Sequence, residues 1–178
     1  MLCPSLDSLS RIGGLAITPA LLVLLLISPG CRPGAGVPTG IGVVDALEIP
    51  MLPMPVDWGA APGPDGLLVQ VFFYRVDQVS QKVATVTVRG TLEFLLFPGR
   101  LVGADLTRME PAYSWRFTGD ELRSWAARGA AGWGYAMQLA WGPAAPCSGP
   151  CTFVARYDGG DGRWIYSKAN SSLTIPAP

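Results

Sequence analysis

The stretch that decides the fold is Gln81–Phe97, QKVATVTVRGTLEFLLF. Its side chains alternate with a period of two. The even-numbered positions are small or apolar: Ala84, Val86, Val88, Gly90, Leu92, Phe94 and Leu96. The other parity holds Thr85, Thr87, Arg89, Thr91 and Glu93. Because successive residues of a strand point to opposite faces of a sheet, this pattern predicts a half-buried β-strand. The alternation stops at Leu95 and Phe97, where both faces become apolar, and Gly90 predicts a bulge or bend that lets the strand cross an edge.

Strands are also predicted on both sides of this stretch. Leu67–Val76 is rich in β-branched and aromatic residues, and Trp133–Trp141 alternates large with small side chains. Thr152–Tyr157 and Arg163–Ser167 flank the glycine-rich turn DGGDG, which predicts a hairpin. Further strands are expected within Val43–Ile49, Leu101–Phe117 and Ser172–Ile175. About seven or eight strands at this spacing predict a mainly β domain over residues 43–178, a single β-sandwich with a barrel as the alternative.

One short helix and one proline-rich loop interrupt the predicted strands. Thr118-Gly-Asp-Glu121 matches a capping box, which predicts a short helix near residues 119–128. Pro50–Gly66 contains five prolines, so we expect an extended loop rather than a central strand. Five residues of this loop are expected to pack on the core: Met51, Leu52, Met54, Asp57 and Trp58. The tryptophans assigned to the core are Trp115, Trp133 and Trp141, whereas Trp58 and Trp164 are left open between the core and a ligand surface.

The N-terminal segment is typical of an export signal. Ile12–Ile27 reads IGGLAITPALLVLLLI, is preceded by Arg11 and is followed by small residues. Residues 1–30 are therefore interpreted as a signal or anchor helix, and residues 31–42, rich in Gly and Pro, as a flexible spacer. The sequence Ser-Pro-Gly-Cys that ends at Cys31 resembles a bacterial lipobox, and this resemblance implies a diacylglyceryl lipid on that cysteine. The alternatives are an ordinary cleaved signal and an uncleaved anchor.

The bulk composition excludes several functions. The 13 basic and 13 acidic residues give no net charge, and a neutral chain argues against nucleic acid as the main partner. The chain contains no histidine. Because histidine supplies the base of Ser-His-Asp and Cys-His mechanisms, neither mechanism is available within this chain. Zinc sites that use histidine are excluded for the same reason.

Two local features carry candidate chemistry. Cys147 and Cys151 flank a Ser-Gly-Pro turn, and in an exported protein this pair is expected to form a structural disulfide rather than a redox or metal site. Asp158 and Asp161 in the DGGDG turn are weak candidates for calcium, together with Asp57 or Asp65. Asp-Gly pairs are also ordinary turn chemistry, and no cofactor is expected.

Four segments resemble uncharacterised predicted lipoproteins of the planctomycete kind: PDGLLVQVFFY, VTVRGTLEFLLFPG, WRFTGDEL and GYAMQLAWG. The resemblance covers roughly Ile49–Pro176. It implies a C2-like or immunoglobulin-like sandwich on a lipid anchor, and it implies no activity. The expected function is therefore non-catalytic binding or scaffolding in the cell envelope, at a membrane surface in the periplasm or outside the cell. The partner would be a protein or a carbohydrate, and the alternatives are a calcium-dependent binder and a carbohydrate-active enzyme.

Overall fold

A computed structural model describes residues 43–59, 63–142 and 145–177 of the chain. The predicted export segment, the lipidation site Cys31 and the spacer lie outside these residues. The strands of the described part, in chain order, are β1 Ala46–Glu48, β2 Met54–Val56, β3 Gly66–Val76, β4 Val83–Thr85, β5 Thr91–Pro98, β6 Tyr113–Phe117, β7 Ala126–Gly129, β8 Gly132–Ala140, β9 Gly149–Asp158, β10 Trp164–Tyr166 and β11 Asn170–Ile175. The only α-helix among these residues is α1, Gly119–Ser124, and a 3-10 helix spans Gly103–Thr107.

The strands form two antiparallel sheets. In the six-stranded sheet the order is β1-β3-β8-β7, and β2 and β4 also pair with the long strand β3. In the five-stranded sheet the order is β10-β9-β5-β6, and β11 also pairs with β9. The chain is therefore mainly β and consistent with a β-sandwich, as the sequence predicted. The number of strands is larger than expected, because several strands of three or four residues give no periodic signal of their own.

The core lies between the inward faces of the two sheets. Phe73 of β3 contacts Tyr157 of β9 with ring centroids 4.9 Å apart, and both side chains are buried. Trp115 of β6 donates its indole N–H to the carbonyl oxygen of Ala140 at 2.6 Å, so a hydrogen bond also joins the sheets. Other buried side chains at this interface are Val69, Leu92, Phe94, Leu96, Met137, Leu139, Phe153 and Leu173. Since apolar burial is the main favourable term in folding, this interface stabilises the domain.

The stretch that begins at Gln81 crosses from one sheet to the other. Its first part, β4, pairs with β3, and its second part, β5, pairs with β6 and β9. Gly90 lies just before β5 with a φ of 148°, a conformation that L side chains rarely adopt. A Cβ at this position would collide with the carbonyl oxygen of Asp158. The predicted bend at Gly90 is thus confirmed, and it divides one apparent strand into two.

The predicted helix forms, but it is shorter than expected. The capping box is present: the backbone N–H of Thr118 donates to the Glu121 carboxylate at 2.7 Å. The helix ends at Ser124. Residues 126–128, which we expected to be helical, form β7 against β8 together with Gly129, the expected helix stop. Pairing with β8 gives the backbone N–H and C=O groups of this segment hydrogen-bond partners without a helix. Helix propensity is a local property, so it does not include this competing partner.

The proline-rich loop differs from the prediction. It contains the short edge strand β2, and Met51, Leu52 and Met54 are exposed, with exposed fractions between 50% and 62%. Pro53 is the residue of this segment that is buried. Asp57 and Trp58 are exposed as well, so the expectation that these five residues pack on the core was wrong. The sheet pairing of this segment covers only Met54–Val56, so Met51 and Leu52 lie before the strand and are not on either face of the sheet.

The tryptophans follow the prediction only in part. Trp115 and Trp141 are buried, as expected for core residues. Trp133, which was also assigned to the core, is half-buried. Of the two tryptophans left open, Trp58 is exposed and Trp164 is half-buried.

The crossing at Gly90 predicts a graded response to alanine substitution. We expect Gly90→Ala to lower the free energy of unfolding by about 2 kcal/mol or more, because it adds both a strained φ and a collision with backbone. Gly99→Ala should cost about 1 kcal/mol, since Gly99 also has a positive φ but a Cβ there meets no atom within 4 Å. Gly129→Ala, which has neither problem, should change stability by less than about 0.5 kcal/mol. Urea unfolding of the three variants measures the order, and equal values for Gly90→Ala and Gly99→Ala would contradict the collision.

Candidate functional site

The outward face of the five-stranded sheet is apolar at its centre. Leu95 and Phe97 of β5 and Val154 of β9 point away from the main core, yet their exposed fractions are only 8%, 2% and 3%. They pack with Leu101, Leu106 and Ala169 in a second, smaller apolar cluster. An outward sheet face in a sandwich normally carries polar side chains. Both faces of β5 are therefore buried, which explains why its sequence alternation stops at Leu95.

A groove opens over this apolar face. It has a volume of about 550 Å³, and we call it the outer groove. Its floor is formed by Leu95, Phe97 and Val154, and Leu106 and Met109 from the segment after β5 form one wall. Arg156 and Tyr166 line it as well. The volume lies within the range of sites that bind small molecules, and an apolar lining with a few polar groups is typical of such sites.

An ionic cluster lies next to the outer groove. The buried carboxylate of Glu93 is contacted by the Nε of Arg156 at 2.7 Å and by one Nη of the same guanidinium at 2.6 Å. Arg116 approaches the other carboxylate oxygen at 3.4 Å. The strand register places these three residues in one row, because Glu93 pairs with Arg116 on β6 and with Arg156 on β9. Two guanidinium groups and one carboxylate leave the cluster with a net positive charge.

Arg156 is held in place by further contacts. Its guanidinium lies over the ring of Trp164, 4.3 Å from the ring centroid, which is within cation–π range. Burial alone would lower the pKa of Arg156, but hydrogen bonds with Tyr166 and Glu93 outweigh that effect and raise the pKa. The guanidinium therefore stays charged, in a fixed orientation, at the groove.

The two cysteines of the predicted disulfide lie close together without a bond between them. The sulfur atoms of Cys147 and Cys151 are 2.8 Å apart, a hydrogen-bonded contact of two thiols, and the structure holds both as free cysteines. The predicted disulfide is therefore not found. A bond would need an oxidant to remove two electrons and two protons from the pair. Burial, followed by the hydrogen bond to Cys147, raises the pKa of Cys151 to about 12, so this thiol stays protonated near neutral pH and is a poor nucleophile.

The aspartates proposed for calcium serve the turns that contain them. Asp158 accepts hydrogen bonds from the backbone N–H groups of Gly160 and Gly162, and Asp161 accepts one from Arg163. Asp65 accepts two in the same way, from Trp58 and Gly59. Within residues 43–59, 63–142 and 145–177, no three Asp, Glu or Cys side chains are close enough to hold a metal ion.

A second cavity, of about 590 Å³, lies beside the DGGDG turn. It is lined by Val43 and Asp45 at the start of the described chain and by Tyr157, Asp161 and Trp164. Its charged lining residues include both signs, since Arg163 also borders it. Val44 and Ile165 line it too, so apolar and oppositely charged groups are mixed in this cavity, whereas Arg156 is the only charged residue among those that line the outer groove.

The outer groove was not recognised from the sequence, although signals for it exist. The loss of alternation at Leu95 and Phe97 is one signal, because it indicates burial on both faces of the strand. The second signal is on β9, where the alternate, outward-facing positions are Thr152, Val154 and Arg156. The pairing of Glu93 with Arg156 depends on strand register, and no local pattern in the sequence reports it.

Comparisons with known proteins identify no relative. No family model, no curated protein and no solved structure matches the chain. Among the residues that the structure describes, no helix is both long and apolar enough to span a membrane.

The ionic cluster predicts a stability effect for Glu93. We expect Glu93→Gln to lower the free energy of unfolding by about 1–3 kcal/mol, because it leaves the partly buried Arg156 without its charged partner. Glu110→Gln is the matched control, since Glu110 is exposed, and it should change stability by less than about 0.5 kcal/mol. Chemical denaturation measures both values. A Glu93→Gln value as small as the control would show that the cluster does not stabilise this sheet.

Proposed function

We propose that this chain is an exported, lipid-anchored bacterial envelope protein whose β-sandwich binds a ligand without catalysis, through the outer groove. The observation that carries the binding site is the apolar floor of the groove, Leu95, Phe97 and Val154 on an outward sheet face. A predominantly apolar lining in a concave site is a common feature of ligand-binding sites.

The non-catalytic part of the proposal is supported by the carboxylates. Glycoside hydrolysis uses two carboxyl groups that face each other across a cleft. Glu93, next to the groove, is already held between two arginines. Glu121, on α1, caps that helix. Hydrogen bonds from Thr118 lower the pKa of Glu121, so this residue is poorly suited to act as a general acid. Asp65, Asp158 and Asp161 already accept backbone hydrogen bonds. The calcium and carbohydrate-hydrolysis alternatives therefore have less support.

The anchor is supported by the sequence alone. An apolar segment with a preceding arginine and a small-residue boundary at Cys31 is typical of an exported lipoprotein precursor. A spacer of Gly and Pro would let a domain that begins near Val43 stand off the membrane and face the envelope. A single acyl chain holds a protein only marginally, whereas two or more chains give stable anchoring.

The anchor predicts a defined mature chain. We expect protein produced in a bacterial host to begin at Cys31 and to carry the additional mass of a diacylglyceryl group. The variant Cys31→Ala should lose that mass, while Cys3→Ala, which changes a cysteine upstream of the cleavage site, should retain it. Intact-mass analysis of the membrane fraction measures both. A mature chain that begins elsewhere would refute the lipid anchor and leave the groove proposal intact.

The groove predicts binding of an uncharged apolar probe. We expect Nile red to fluoresce with the purified full chain and to lose most of the groove-dependent signal with Ala169→Phe, which adds a ring to the groove wall. Val79→Phe adds the same ring to the turn between β3 and β4, at a residue that is 96% exposed, and should keep the signal. All variants share one N-terminal segment, so its contribution to dye binding cancels. An equal signal in the wild type and in Ala169→Phe would refute the groove as a binding site.

A further inference from the structure

We infer that the outer groove takes a single-chain amphiphile with a monoanionic headgroup, a long-chain carboxylate, whose chain lies over Leu95, Phe97 and Val154 and whose headgroup meets Arg156. This inference rests on the proposed binding function and adds the chemical class of the ligand.

The apolar part of the ligand follows from the floor and wall of the groove. Leu95, Phe97 and Val154 border the groove with carbon atoms only, and 8%, 2% and 3% of their surface is exposed there. Their backbone groups take part in the pairing of the sheet strands. Leu106 and Met109 face the same space from the adjoining segment, and Met109 is 41% exposed. A methionine side chain is unbranched and adapts to the shape of what it contacts. A flexible hydrocarbon chain meets these surfaces without leaving a polar group unpaired.

The anionic part follows from the position and charge of Arg156. Among the described residues that line the groove, Arg156 is the only charged one. Residues two apart on a strand share a face, so Arg156 continues the outward row of Val154 and lies at its end. The row formed with Arg116 and Glu93 carries one more positive than negative charge. One monoanionic headgroup neutralises this excess.

Arg156 also has the donors that such a headgroup needs. A guanidinium carries five N–H donors in a plane. Glu93 engages its Nε and one Nη, and Tyr166 makes a further hydrogen bond with the group, so two of the five donors remain for a headgroup. Stacking on Trp164 and hydrogen bonding with Glu93 fix the plane of the group before a ligand arrives. A fixed guanidinium pays less ordering cost on binding than a free one. The exposed ring of Tyr166, opposite Arg156 in the register, provides a wall beside the headgroup.

These features favour an amphiphile over a sugar. Sugars are bound by hydrogen bonds to their hydroxyl groups combined with stacking on aromatic faces. Tyr166 could stack on a sugar, but the floor beneath it provides aliphatic carbon and the ring of Phe97 instead of hydrogen-bonding groups. A sugar that entered this floor would leave its hydroxyl groups unsatisfied.

The test compares two ligands of the same chain length. Dodecanoate and dodecan-1-ol are titrated into the full chain by calorimetry, below the concentration at which dodecanoate forms micelles. We expect dodecanoate to bind about tenfold or more tightly than dodecanol, as a charge-assisted hydrogen bond implies. Arg156→Gln should remove this preference, and Arg156→Lys should restore part of it. Ala169→Phe should weaken both ligands, and Val79→Phe should change neither.

Each other outcome overturns a defined part of the reasoning. Equal affinity of the two ligands in the wild type, with both lost in Ala169→Phe, would overturn the anionic headgroup and leave the groove as an apolar binding site. A preference that survives in Arg156→Gln would overturn the assignment of Arg156. If neither ligand binds, or if Ala169→Phe binds as the wild type does, the carboxylate inference fails. In that case Nile red binding decides separately whether the groove binds any apolar molecule.

Discussion

The structure depends on the passage of one continuous segment from the first sheet to the second at Gly90. Before this glycine the chain pairs with β3, and after it β5 becomes a central strand between β6 and β9. The hydroxyl group of Tyr157 donates to the carbonyl oxygen of Arg89 at 2.5 Å and so ties β9 to the crossing. A Cβ at Gly90 would collide with the backbone of Asp158. The crossing and the end of β9 can therefore approach this closely only because the residue at position 90 has no side chain.

The position of the groove follows from this passage. A strand that enters the centre of a sheet presents one face to the main core and the other to whatever covers the sheet from outside. The outward residues of β5 change along the strand from Glu93 to Leu95 to Phe97, and the ionic row is therefore followed by an apolar floor. The segment of Gly103–Thr107 covers this floor only partly and leaves the groove. The polar and apolar halves of the site are thus consecutive outward positions of a single strand.

Much of the fold could be predicted because its signals are local. The period of two in β8, the capping box before α1 and the DGGDG hairpin each arise within a few residues, and the structure contains all three. The failures concern competition between distant segments. Residues 126–129 are strand because β8 is available to pair with them, and Met54 is exposed because its strand lies at an edge. Such outcomes depend on which partner a segment finds, and local propensity does not contain that information.

The site was less predictable than the fold, because it is defined by register. Glu93 and Arg156 are 63 residues apart, and nothing near either residue indicates the other. A shift of the β5–β9 register by one residue would move Arg156 to the opposite face of the sheet, where the core lies. The chain as a whole is electrically neutral, yet this register concentrates two positive charges and one negative charge beside an apolar floor. Neutrality of the whole chain argues against a polyanionic partner such as nucleic acid, and it leaves room for a partner with a single negative charge.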